Sequence, residues 1–169
     1  KDKIETTKFL NHIVSNFRKS DYPKVYLVHG NMTQKEIAGV YSNSKINAYV
    51  STTRGEGYGL PLIEAAAAGI PIIATNWSGH LEFLKRDSFL PIEYDMKEVP
   101  EGKVDNRIFL KGFMWADPKK ESFLNCAQDL KSNYNKYKHI SEEYSKEVRE
   151  KFCKQNIKKM YDNLLDGII

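Results

Sequence analysis

The sequence predicts an α/β fold, a doubly wound parallel sheet flanked by helices, and three observations predict it. Short β-branched and aromatic runs alternate with helical segments along residues 24–75. A glycine-rich loop stands between one such run and the helix after it, and residues 117–169 read as helix alone. At 169 residues, with 41% hydrophobic and 28% charged residues, the chain has the size and composition of one ordinary globular domain. That composition excludes disordered, collagen-like and coiled-coil classes.

The elements follow in order. Phe9, Ile13 and Phe17 recur at helical spacing, which predicts a helix from about Ile4 to Lys19, ended by Asp21, Tyr22 and Pro23. Lys24 to His29 reads as a strand. Gly30 and Asn31 turn the chain, and Thr33 with Glu36 forms a capping box that opens a helix over about Gln34 to Tyr41. Ile46 to Ser51 is a second strand and Pro71 to Thr75 a third. The helix between them runs from about Leu60 to Ala68, with Pro61 in its first turn and Gly69 at the left-handed position after its end. Strands joined through helices require right-handed crossovers, hence a parallel sheet covered on both faces. A further helix is expected over Gly79 to Lys85, then a short strand within Ser88 to Tyr94. Between Asp95 and Trp115, Pro100, Gly102 and Gly112 interrupt every period, so the segment reads as a loop. Asp117 and Pro118 start a helix to about Lys136. Ser141, followed by Glu142 and Glu143, starts another that carries Tyr144, Val148, Phe152, Ile157, Met160 and Leu164 on its apolar stripe.

The net charge is +4, and residues 131–160 hold nine Lys/Arg against four Asp/Glu. A basic tail on a neutral body is not the phosphate-tracking face of a nucleic-acid-binding domain, so no nucleic-acid partner is expected; the basic stretch reads as a solvated helix face. Cys126 and Cys153 lie far apart without a CxxC or a His cluster, which leaves no metal framework and fits packing residues in a reducing compartment. No apolar run reaches the length of a bilayer-spanning helix and residues 1–10 carry no secretory core, so a cytoplasmic location is expected. The chain starts at Lys1 rather than Met, which reads as a processed product or a piece of a longer chain.

The chemistry is concentrated between Ser51 and Gly79. A glycine-rich loop that leaves a parallel strand and enters a helix presents unpaired amides and the positive end of the helix dipole to a phosphate, at the sheet edge where α/β folds bind ligands. Gly55, Gly57 and Gly59 permit close backbone approach, and a tight structural turn accounts for them equally well. Glu64 lies in a helix of small residues that reads as apolar nearly all round, where a carboxylate is costly unless something bonds it. One turn in from the phosphate end, it can accept two hydrogen bonds from a ribose diol; its plain alternative is an exposed Glu at the helix rim. Glu56, between two glycines, is expected at the mouth of the site, where it bonds sugar hydroxyls or is simply solvated.

The run EGYGLPLIEAAAAGIPIIATNWSGHLE, from Glu56 to Glu82, resembles the signature of the family-4 retaining glycosyltransferases of the GT-B fold. It has E-G-Y-G-L-P, a second Glu eight positions after the first (the E-x7-E motif), a small-residue helix, G-x-P, a strand and G-x-x-E. Looser similarity, including Trp77-Ser78-Gly79 and Met114-Trp115, extends from about Lys24 to Trp115.

The resemblance implies a Rossmann-like half of a GT-B enzyme that binds a nucleotide-diphosphate sugar and transfers its glycosyl group, with retention, to an acceptor hydroxyl of a glycan or other molecule. It implies Glu56 on hydroxyls of the donor sugar, with backbone amides of Gly57, Tyr58, Gly59 and Leu60 at the diphosphate, and Glu64 on the ribose. Gly30 and Asn31 match a nucleobase-contacting loop. No metal or other cofactor is expected. Arg54 stands where the family usually has a small residue or His, and either meets a phosphate or lines the rim. Residues 1–169 are expected to form a single truncated donor-binding domain, with residues 117–169 as its helical end. It would lack the first strands of that half, the basic pair that clamps the diphosphate, and the whole acceptor-binding domain, so the isolated chain is expected to be nearly inactive. The alternative is a non-catalytic nucleotide-sugar-binding or interaction module of the same descent.

Overall fold

The computed structural model describes residues 2–17 and 23–166, and the chain forms two compact units, residues 1–37 and 38–169. In the first unit, α1 spans Asp2–Phe17. Its predicted last residues, 18 and 19, and the breakers Asp21 and Tyr22 lie outside the described residues. Lys24 to His29 forms no strand, and Val25, Tyr26 and Val28 are exposed. A strand exists only through its ladder, and no neighbour pairs this β-prone run among the described residues. The capping box at the start of α2 (Gln34–Tyr41) is formed as expected. The Glu36 carboxylate accepts from the Thr33 amide at 2.7 Å, and the Thr33 hydroxyl accepts from the Glu36 amide at 3.3 Å.

The second unit is built on a three-stranded parallel sheet, β1 (Tyr49–Ser51), β2 (Ile72–Thr75) and β3 (Leu90–Ile92), in that spatial order. β2 is central and buried along its whole length, which is why it reads as an unbroken apolar run. Its side chains alternate between two cores. Ile72 and Ala74 pack with Leu62, Ala65, Phe83 and Val148 under α3 (Leu60–Ala67) and α5 (Tyr134–Lys151), while Ile73 packs with Leu90, Ile92 and Leu130 under α4 (Lys120–Ser132). The result is the expected Rossmann-like α/β sandwich, with a sheet covered on both faces.

α3 starts at Gly59, whose φ of 88° is left-handed, and ends before Gly69 at φ 70°. A Cβ on Gly69 would lie 3.4 Å from Glu142 Cα, so α5 crosses close against the end of α3. Ser141 and Ser145, both buried, are the small residues that permit this approach. Part of the basic stretch faces inward here. Lys138 Nζ donates to the Gly69 carbonyl at 2.9 Å and Arg149 to the Ala67 carbonyl at 3.1 Å, placing two cations at the negative end of the α3 dipole.

Several predicted boundaries are corrected. Gly79 to Lys85 forms only a 3₁₀ turn over Gly79–Glu82, because the Phe83 and Leu84 amides both bond back to His80 and the chain then turns into the core. Residues 95–115 are not all loop. β4 (Tyr94–Glu98) and β5 (Met114–Pro118) pair antiparallel, from Tyr94 opposite Pro118 to Glu98 opposite Met114. Asp117 is therefore a strand residue rather than a helix cap, and α4 begins after Lys119. Ser141 lies inside α5 rather than at its start. The C-terminal stripe is divided at Phe152 and Cys153 between α5 and α6 (Lys154–Asp166).

Candidate functional site

The loop between β1 and α3, residues 52–59, emerges at the carboxyl end of the parallel sheet, where ligand sites of such folds form. It is held from behind by the turn after β2. The Ser78 hydroxyl accepts from the Glu56 amide at 2.8 Å and donates to the Glu56 carbonyl at 2.6 Å, and the Gly79 amide reaches the same carbonyl at 3.2 Å. Ser78 sits at φ 94°, a left-handed conformation that a non-glycine residue adopts only when its surroundings impose it. His80, fully buried, donates from Nε2 to the Thr75 carbonyl at 2.8 Å, tying this turn to the end of β2. Among the described residues, His80 Nδ1 and Thr75 Oγ1 are buried without partners.

The glycines separate into two kinds. Gly59 is required by the fold: besides its positive φ, a Cβ there would stand 3.1 Å from His80 Cβ and from Leu62 Cδ1. Gly55 and Gly57 are not. Neither has a left-handed φ, and among the described residues beyond its chain neighbours no atom lies within 4 Å of the Cβ each lacks. A tight turn explains Gly59 alone; at Gly55 and Gly57 the missing side chains leave the backbone open to an incoming group.

No side chain caps the N-terminus of α3, and Pro61 in its first turn has no N–H. Among the described residues, nothing accepts from the amides of Gly57, Tyr58, Gly59 and Leu60. Tyr58 leans its ring on Phe83 at 5.2 Å between centroids, and Leu60 is exposed.

Glu56 is half-buried and Glu64 is exposed. The expectation of a closely packed carboxylate at Glu64 is corrected, because α3 buries Leu62, Ala65 and Ala66 but leaves Leu60, Pro61 and Glu64 on an open face. Both carboxylates act on the same phenol. Tyr49 is raised above the ordinary tyrosine range by burial and then by the charges of Glu56 and Glu64. Tyr41, whose hydroxyl donates to the Pro61 carbonyl at 3.2 Å, is raised further, by burial and then by Glu64. Both glutamates therefore lie within charge range of Tyr49.

Arg54 is engaged by the β4–β5 hairpin. Its guanidinium donates to Asp117 at 2.8 and 3.1 Å and lies 4.8 Å from the centre of the Trp115 ring, and its carbonyl accepts from the Ala116 amide at 3.2 Å. Lys97 donates to the other Asp117 oxygen at 2.6 Å. Lys97 first and Arg54 second hold the Asp117 carboxyl below the ordinary aspartate range. Gly30, at φ 139°, and Asn31 belong to the first unit.

Sequence reasoning did not foresee the bracing by Ser78, Gly79 and His80, whose signal was the W-S-G-H run itself. Among the described residues, no three His, Cys, Asp or Glu side chains are grouped to hold a metal ion, and no helix is long and apolar enough to cross a membrane.

Comparison with known proteins agrees with this geometry. The chain is 29% identical over 136 residues to a probable sucrose-phosphate synthase of Thermosipho melanesiensis; the match covers 79% of this chain and 26% of that protein, so the chain spans about a quarter of its relative's length. Residues 15–147 match the family described as glycosyl transferases group 1. With its open Rossmann-like half, its glycine loop and most of its length inside that match, the chain belongs to the group 1 glycosyl transferases.

Proposed function

We propose that the chain is the donor-binding half of a GT-B glycosyltransferase, which takes a glycosyl group from a nucleotide-diphosphate sugar and passes it, with retention, to an acceptor hydroxyl. The observation that carries this reading is the E-x7-E spacing of Glu56 and Glu64, with open amides between them on a loop braced by Ser78 and Gly79. Support for the class also comes from the family match and from the relative named as a synthase of a sugar phosphate.

In this reading the Gly57–Leu60 amides and the α3 dipole hold the diphosphate, Glu64 accepts from both hydroxyls of the ribose, and Glu56 orients the sugar. As the bond from the anomeric carbon to the phosphate oxygen breaks, its electron pair and the new negative charge pass to the diphosphate, toward the amides. The acceptor oxygen forms the new bond on the same face, and its proton goes to the departing phosphate. The open space at Gly55 and Gly57 gives the diphosphate and sugar their close approach. Arg54 joins the phosphate when it exchanges Asp117 for it. A second Rossmann-like half holds most of the acceptor.

The test is calorimetric titration of the chain with UDP-glucose, GDP-mannose and ADP-glucose. At least one is expected to bind, and Glu64→Ala is expected to weaken it at least tenfold, about 1.4 kcal/mol, with thermal stability little changed, since the side chain is exposed. Equal affinity before and after the substitution sinks the ribose assignment.

A further inference from the structure

The β4–β5 hairpin and the loop within it build a cavity beside the glycine loop. It measures about 430 Å³, within the range of small-ligand sites, and its wall combines Thr52, Thr53 and Arg54 with Trp77, Phe109 and Trp115. The aromatic side is partly open to solvent, with Trp77 38%, Phe109 39% and Phe113 54% exposed. These rings are fixed in place. Phe109 meets Trp115 edge-on at 5.8 Å, and Trp77 meets Tyr94 at 5.4 Å. The turn that carries Phe109 is pinned by Asp105, whose Oδ1 accepts from the amides of Arg107, Ile108 and Phe109, each at 2.9 Å. Two backbone bonds close the rim: Val99 N to the Phe113 carbonyl at 2.8 Å, and Ala116 N to the Arg54 carbonyl at 3.2 Å.

Neither hydrophobic core against the three-stranded sheet includes these rings. Flat rings beside the threonine hydroxyls match a pyranose, which offers an apolar C–H face for stacking and equatorial hydroxyls for hydrogen bonding. Gly55 lines this cavity and Glu56 follows it in the chain, so an occupant lies next to the proposed donor sugar.

We propose that this cavity binds a sugar unit of the acceptor, a carbohydrate chain stacked on Trp77, Phe109 and Trp115. The acceptor role rests on the donor reading above; carbohydrate binding by the cavity does not.

The test exploits the chain's two tryptophans, which both line the cavity. The full chain is titrated with maltotriose, cellotriose and chitotriose to millimolar concentration while tryptophan emission is followed. A saturable change with at least one trisaccharide is expected, weakened at least tenfold by Phe113→Ser and Phe109→Ser but not by Leu124→Ser, an equally exposed apolar site on α4. Circular dichroism melts establish that each variant is folded. Nucleotide-sugar affinity is expected to be unchanged in Phe113→Ser. Loss of nucleotide-sugar binding with trisaccharide binding intact sinks the donor reading and supports the cavity. No saturable change with any trisaccharide overturns the proposal.

Discussion

Gly79→Ala tests how the glycine loop is held. An ideal Cβ at position 79 would stand 2.0 Å from the Gly57 carbonyl oxygen, 2.7 Å from its carbon and 3.0 Å from the Glu56 carbonyl oxygen. All three are backbone atoms, so no side chain can swing aside and either the loop or the turn after β2 must move. Overpacking of this kind costs about 1–3 kcal/mol. The Gly79 amide bond to Glu56 is lost with the displacement, about another 1 kcal/mol. A total of about 3 kcal/mol lowers the melting temperature by roughly 6–12 °C in a chain of this length. Gly57→Ala is the contrast. Its Cβ meets no atom within 4 Å among the described residues beyond its chain neighbours, so stability is expected to hold within about 0.5 kcal/mol while nucleotide-sugar affinity falls. Differential scanning calorimetry and nucleotide-sugar titration separate the two. A Gly79→Ala melt within a degree of the parent, or a Gly57→Ala protein that binds undiminished, refutes the division of the glycines into fold-bound and ligand-facing.

Ser78→Ala removes the hydroxyl that serves both the amide and the carbonyl of Glu56; urea unfolding is expected to show a loss of about 1–2 kcal/mol, and an unchanged midpoint argues against the brace. Arg54→Ala is expected to weaken nucleotide-sugar binding, and unchanged affinity by calorimetry removes Arg54 from the phosphate. Asp117 carries a pH signature. Its folded pKa lies below the unfolded one, so its contribution is whole above the unfolded value, near about 3.9, and disappears as the pH falls through the folded value. The difference in melting temperature between the parent and Asp117→Asn should therefore be constant near neutrality and narrow below about pH 4; a difference that does not change with pH refutes the clamp.

How much was legible varied with the range of the interaction that decides each element. Residues 56–75 were read almost to the residue, because Pro61, Gly69 and the apolar run of β2 are local devices whose meaning is set by backbone sterics and burial. The capping box of Thr33 and Glu36 was legible for the same reason. The β4–β5 hairpin was not. Its strands are separated by fifteen residues broken by Pro100, Gly102 and Gly112, and neither alternates cleanly, since only Ala116 of β5 is buried. Lys24 to His29 failed in the opposite direction, with strong β propensity but no pairing partner among the described residues. At the site, Glu56, Glu64 and the glycines were legible as residue types at fixed spacing, whereas the open face of α3 and the engagement of Arg54 by Asp117 were not.

The sequence by itself determined the α/β class, the glycine loop at a strand-to-helix junction, the spacing of its two carboxylates and the family to which these belong. All of these are written in contiguous residues. Only the tertiary structure decided that Ser78 and Gly79 brace Glu56 from 22 and 23 positions away, that Asp117 takes Arg54 across 63, and that Trp77 and Trp115 wall one cavity. The physical reason is that hydrogen bonds, ion pairs and ring contacts act over a few ångströms in space, and no periodicity along the chain records which distant segments the fold will bring within that reach.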